Sequence, residues 1–217
     1  VACGSRAGML APPSRSPLPA RPGHTDPPML ASLRSVFNHP GLRRFLVRLR
    51  VPLAIVAIAA AVPFLRREWL VAGFLVSMVG EFIQLWSFAS LDKNSDLAIR
   101  GPYAMVRNPM YLGRFFIIFG FLMLLGNSWL LLAYTIVYWF YMDTRVEREE
   151  AHLKPIFGPR YEEYCAKVHR FIPGPPLAGQ PVAYWNWKLF RQNNAAANLA
   201  GTLAVWAVVA AWLLLRS

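Results

Sequence analysis

The chain has 217 residues, 56% of them hydrophobic, and a formal net charge of +12. So apolar a composition, with eight Trp and fourteen Phe, excludes a typical soluble domain and points to a membrane protein. Its basic residues cluster beside apolar runs, where they set topology and meet anionic lipid, so nucleic acid is not an expected partner.

Residues 1–28 are rich in Pro, Ser, Gly and Arg without an apolar period, which predicts a disordered tail and, for want of an apolar h-region, no secretory signal. Met29 is a candidate natural start. Residues 29–50 mix Leu, Val and Phe with Arg34, Arg43, Arg44, Arg48 and Arg50, the pattern of a basic interfacial segment. Val51–Leu65 is a first, short apolar run interrupted by Pro52 and Pro63. A tight turn at Arg66, Arg67 and Glu68 follows, and Trp69–Ala89 is then long enough to span a bilayer. Glu81 and Gln84 lie inside that span. Polar groups there either serve function or fix helix packing by hydrogen bonds, and the sequence supports both readings equally.

After a polar connection over residues 91–103 comes Arg107-Asn-Pro-Met-Tyr-Leu-Gly113. Asn108 is suited to an N-cap and Pro109 to the first helical position, so a helix is expected to start here. Its free N–H groups and dipole, with Arg107 beside them, suit a carboxylate or phosphate. Met110–Leu125 and Trp129–Met142 are expected as an antiparallel pair about the uncharged turn Gly126–Ser128. Both outer ends of the pair are charged, which places them, with the N-terminus, on the cytoplasmic side; Arg66 and Arg67 run against that assignment.

Residues 143–168 hold six of the eleven acidic residues. Val146, Glu149, Glu150, Leu153 and Ile156 fit a helix with an apolar edge, broken at Phe157-Gly-Pro, and a short helix with Tyr161 and Tyr164 follows. Residues 174–194 form an interfacial loop whose Tyr184-Trp-Asn-Trp-Lys suits the headgroup level, and residues 195–217 carry a final apolar span, Ala195–Leu215. The expected fold is all-α: a membrane bundle of about five transmembrane helices, with a core over residues 51–173 and a cofactor site at its cytosolic face. Cys3 and Cys165 are distant and the four histidines lack ligand spacing, so neither a disulfide framework nor a protein metal centre is expected.

An antiparallel pair returns the chain near its entry, so Arg107 and the Glu149–Glu150 pair can flank one cavity. Such a cavity matches a zwitterion. Arg107 and the helix mouth would take a carboxylate, a glutamate would take an ammonium or a ribose diol, and Tyr103, Tyr111 or Phe157 would stack on a ring. S-adenosylmethionine is a ligand of this kind.

Three motifs in order carry a family resemblance: Gly101-Pro-Tyr-Ala-Met-Val-Arg-Asn-Pro-Met-Tyr-Leu-Gly113, Arg145-Val-Glu-Arg-Glu-Glu150 and Phe157-Gly-Pro-Arg-Tyr-Glu-Glu-Tyr164. With the upstream Gly80-Glu-Phe-Ile-Gln-Leu-Trp86 and Lys93-Asn94, they resemble the isoprenylcysteine carboxyl methyltransferase and phospholipid methyltransferase superfamily, in its bacterial form, over roughly Gly80 to Pro173. The resemblance implies an integral-membrane enzyme that binds S-adenosylmethionine and takes a lipid-like acceptor from the bilayer. It carries the family's cofactor motif onto Arg107, Asn108, Pro109, Tyr111 and Gly113 and its acidic pair onto Glu149 and Glu150. Tyr103 and Tyr161 join the expected cofactor set, and Arg107 and Glu150 are the expected catalytic pair.

Asn108 stands where the family has histidine. Asparagine does not titrate near neutrality, so a base at that position is lost while cofactor contact survives. Methylating a carboxylate needs only an ionised, aligned acceptor, whereas an amine must lose a proton, to Glu150 or Glu81. Prenylcysteine carboxylate and phospholipid amine both remain open as acceptors. A nicotinamide-dependent reductase of the sterol reductase type is a second enzymatic reading. In a third, non-enzymatic reading, the acidic helix pairs with Arg145, Arg148 and Arg160.

Overall fold

A computed structural model describes residues 52, 56–92 and 97–216. The expected tail over 1–28, the interfacial segment over 29–50, most of the first half of the 51–65 run and the Lys93-Asn94 pair lie outside the described residues. The chain divides into two units, Val1–Ala57 and Ile58–Ser217, and the second is described below.

All regular elements among the described residues are helical. A 3-10 turn at Val62–Phe64 and another at Arg67–Trp69 lead into α1, Leu70–Ser90. A short 3-10 turn, Gly101–Ala104, precedes α2, Pro109–Met123. Then come α3, Ser128–Phe157, α4, Pro159–Lys167, α5, Trp187–Gln192, and α6, Ala195–Leu215. Among the described residues, two stretches are long and apolar enough to cross a membrane, Arg67–Ser90 and Ala195–Leu215, with α2 a shorter apolar helix. Of the about five spans expected, these two pass by length and composition, and part of the first expected run lies outside the described residues.

Helices α1 and α2 run antiparallel with their backbones in contact. A Cβ on Gly80 would lie 2.5 Å from the Gly113 carbonyl oxygen, and one on Gly113 would lie 2.7 Å from that of Gly80. Gly73 and Gly120 meet in the same way one heptad away, and Ser77 Oγ donates to Ile117 O at 2.9 Å. In lipid, helix association depends on such close packing, which only small residues permit. Helix α6 closes over the pair: Trp206 stacks on Phe121 at 4.5 Å and meets Phe74 edge-on at 5.5 Å.

This third helix also answers the polar residues of α1. Glu81 and Gln84 are buried, with Asn198 Nδ2 donating to Glu81 Oε1 at 2.8 Å and to Gln84 Oε1 at 3.0 Å, and Thr202 Oγ1 donating to Glu81 Oε2 at 2.9 Å. Of the two readings left open for these residues, their geometry is that of interhelical hydrogen bonding.

Helix α3 differs from expectation in being continuous. The change of character at Met142–Asp143 does not end it, because residues 143–154 contain no Gly or Pro and add an Arg145–Glu149 pair at i,i+4 spacing. Its thirty residues span about 45 Å against about 22 Å for α2. The hydropathy switch therefore marks a change of surroundings along one rod. Asn127 caps its start by accepting from Trp129 and Leu130 N–H, and Gly158, at φ 54°, ends it. Ile156, expected on the packed edge, is instead exposed, since it falls in the last turn beyond the buried Val146 and Glu150.

Candidate functional site

The excess length of α3 decides where the site lies. The apolar first half packs on α2, with Tyr134 Oη donating to Phe115 O at 3.2 Å and Tyr138 Oη to Tyr111 O at 2.8 Å. The polar second half then overshoots the α2 N-terminus and carries Glu149 and Glu150 to Arg107. Between them is a cavity of about 310 Å3.

Of the nine residues expected to bind cofactor, seven line this cavity: Tyr103, Arg107, Asn108, Tyr111, Glu149, Glu150 and Tyr161. Leu153, Phe157 and Tyr164 add apolar and aromatic wall, and Leu91, Asp92, Leu97, Ala98 and Met110 complete the lining. Pro109 and Gly113 do not line it. Pro109 is buried at the helix start, and Gly113 sits in the α1–α2 contact, where its role is close backbone approach.

Glu150 is held by two arginines. Arg107 Nη2 lies 3.4 Å from Glu150 Oε1, and Arg170 donates from Nη2 to Oε2 at 2.7 Å and from Nε to Oε1 at 3.3 Å. Arg170 also reaches Asp143 Oδ1 at 2.9 Å. The hydrogen bond to Glu150 raises the Arg170 pKa above its usual value. Side chains of Arg107 and Glu150 are 13% and 10% exposed, so their pairing is sheltered from solvent screening. The second member of the acidic pair is engaged separately: Tyr111 Oη donates to Glu149 Oε1 at 2.7 Å, and Arg145 Nε approaches the same oxygen at 3.3 Å.

Arg107 itself is fixed from behind. Its N–H donates to His169 O at 2.9 Å, and Nη1 donates to Cys165 O at 3.4 Å. His169 and Cys165 thus contribute through their backbone carbonyls. Arg107 Nε is buried without a hydrogen-bond partner among the described residues. A buried guanidinium donor without an acceptor costs stability unless a ligand satisfies it.

Asn108 occupies the N-cap position of α2 but does not cap it. Its Nδ2 donates to Arg170 O at 3.2 Å, which ties the α2 start to the segment after α4. The capping expectation is corrected accordingly: the amide is spent on tertiary positioning. Tyr164 Oη likewise donates to Tyr103 O at 2.7 Å. Burial pushes the phenols of Tyr103, Tyr161 and Tyr164 upward, so they stay neutral and bring no negative charge beside the glutamates.

Sequence reasoning missed Arg170. It lies just past the third motif, at the boundary of a run otherwise read as loop, and only the need for a counter-charge to a buried glutamate signals it. Of the arginines expected to pair with the acidic helix, Arg145 does so with Glu149.

Residues 69–160 match the phospholipid methyltransferase family. The chain is 42% identical over 82 residues to a protein-S-isoprenylcysteine O-methyltransferase of Schizosaccharomyces pombe, covering 38% of this chain and 35% of that one. It is 30% identical over 125 residues to a probable protein-S-isoprenylcysteine O-methyltransferase of Oryza sativa subsp. indica, covering 51% and 65%, respectively. A Xenopus laevis protein-S-isoprenylcysteine O-methyltransferase is 32% identical over 118 residues, 48% of this chain and 41% of that protein. The chain therefore spans less than two thirds of each of these relatives' length.

Proposed function

We propose that this chain, which belongs to the isoprenylcysteine carboxyl methyltransferase and phospholipid methyltransferase superfamily, is a multi-pass membrane enzyme that transfers a methyl group from S-adenosylmethionine to a lipid-like acceptor. The observation that carries the reading is the convergence of seven motif residues on one cavity whose buried arginine has an unsatisfied Nε. The residues present fit the cofactor. Arg107 offers a donor to its carboxylate, Glu149 or Glu150 an acceptor to its ammonium or ribose hydroxyls, and Tyr103, Tyr161 and Phe157 ring faces to its base. When bound, S-adenosylmethionine supplies an electrophilic methyl on a sulfonium.

The remaining catalytic work falls to positioning. Glu150, gripped by Arg107 and Arg170, fixes one end of the cavity, and Leu153 and Phe157 keep water from it. Glu150 already has both oxygens engaged by guanidinium groups, and Glu149 Oε1 is taken by Tyr111 and Arg145. Proton abstraction from an amine would fall to Glu149 Oε2, the one oxygen of the pair without a partner among the described residues and the one the cofactor's ammonium or ribose also calls on, and Asn108 does not titrate. An ionised carboxylate needs no such base, so a prenylcysteine-like carboxylate is favoured over a phospholipid amine as the acceptor. Basic clusters at both outer ends of the α2–α3 hairpin support a cytoplasmic site.

Equilibrium binding of S-adenosylmethionine to purified protein in detergent or lipid tests the reading. Saturable binding that Arg107→Ala greatly weakens is expected. No saturable binding by a protein whose helical content is intact would overturn it, and displacement by a nicotinamide nucleotide would favour the reductase.

A further inference from the structure

At the same end of the bundle, the last turn of α1 and residues 184–192 enclose a second cavity, of about 360 Å3. It shares Asp92, Leu97 and Ala98 with the first, as a common wall. Its frame is braced by hydrogen bonds. Trp86 Nε1 and Ser90 Oγ donate to Tyr184 O at 3.2 and 3.3 Å, Asn186 N–H donates to Ala89 O at 3.1 Å, and Asn193 Nδ2 donates to the carbonyls of Phe88 and Leu91. Asn186 Oδ1 also caps α5 by accepting from Lys188 and Leu189 N–H. Side chains on this segment are thus presented by a fixed backbone.

Two cations line the cavity, Arg100 and Lys188, against one carboxylate, Asp92, among the described residues. Arg100 lies over the Tyr184 ring, 5.6 Å from its centroid, and neither cation forms an ion pair among the described residues. Trp185 and Trp187 stand partly exposed on the same segment, packed edge-on at 5.4 Å, as residues of an interfacial belt do. A net-positive recess at headgroup depth is matched to a phosphate, which accepts both a guanidinium fork and an ammonium. We infer that this cavity binds the phosphate of an anionic phospholipid head group, held by Arg100 and Lys188. Arg100 lies inside the matched 69–160 region and Lys188 beyond it. It does not depend on methyl transfer.

The full chain in detergent, titrated with phosphatidylglycerol or phosphatidylcholine and followed by native mass spectrometry and by thermal unfolding, tests the inference. Phosphatidylglycerol is expected to bind saturably and at least about fivefold more tightly. Arg100→Gln and Lys188→Gln should each reduce that preference about fivefold, as expected for loss of one cation near an anionic headgroup. Lys154→Gln, an exposed cation outside both cavities, should leave it unchanged, and Arg100→Lys should retain most of it. Should Arg100→Gln lose its helical signal, Lys188→Gln decides alone. Equal binding of the two lipids, undiminished preference in the folded variants, an equal loss in Lys154→Gln, or protection by inorganic phosphate equal to that by lipid would each overturn it.

Discussion

Among the described residues two carboxylates, Glu81 and Glu150, are buried, and their surroundings differ in kind. Glu81, 1% exposed, is answered by neutral donors from α6, Asn198 and Thr202. Glu150 is answered by Arg107 and Arg170, beside a cavity and next to a guanidinium nitrogen that still lacks an acceptor. The first cluster is closed within the helix interface, as packing groups are. The second is left one acceptor short, which is the condition of a site awaiting a ligand.

The largest expected effect tests that asymmetry at Arg107. Arg107→Ala should weaken S-adenosylmethionine binding by about 100-fold or more, about 2.7 kcal/mol, while Arg170 retains Glu150 and the fold persists. Arg107→Lys keeps the charge but not the fork, and should lose about tenfold. Calorimetric titration checks both, and an Arg107→Ala protein that binds normally would refute the assignment of an open cluster.

Next in size is the helix contact on which both carboxylates depend. Gly113→Ala would place a methyl 2.7 Å from Gly80 O and 2.8 Å from Gln84 Cγ. The helices must then separate, at a cost of about 1–3 kcal/mol. Thermal unfolding in detergent should fall accordingly, and the Glu81–Asn198 distance, read by crosslinking of paired cysteines on α1 and α6, should lengthen. An unchanged midpoint would mean that Gly113 serves the cofactor rather than the packing.

These two tests also mark what the sequence could and could not show. Arg107, Tyr111, Glu149 and Glu150 were legible because short-range motifs carry their chemistry, and because a hairpin must bring its ends together. Gly113 sat inside a binding motif that gave it a different reading, and the seven-residue spacing from it to Gly120, and from Gly73 to Gly80, went unread. Asn198 is 117 residues from Glu81, and nothing local to either names the other. The end of α3 was misplaced at Met142 because hydropathy changes there while helix propensity does not.

A smaller effect is expected at Glu81. Glu81→Ala leaves Thr202 without its acceptor and Asn198 with Gln84 alone, and should cost about 1–2 kcal/mol, whereas Glu81→Gln should cost less, since the amide both accepts from Asn198 and donates to Thr202. Neither should shift cofactor affinity more than about twofold. A loss of turnover in a stable Glu81→Gln protein would make Glu81 a proton carrier and draw the two carboxylates into one function.

Asn108 gives the smallest and most discriminating effect. Its single hydrogen bond to Arg170 O implies that Asn108→Ala costs about 1 kcal/mol and up to about fivefold in cofactor affinity. Asn108→His places a group that titrates near neutrality at the mouth of the cavity. If the position only tethers the Arg170 segment and the acceptor is a carboxylate, initial rates between pH 6 and 8 should follow the parent's profile. An amine acceptor, which must lose a proton, would instead gain rate as the new imidazole becomes neutral, adding a limb to the profile that a tethering role does not produce.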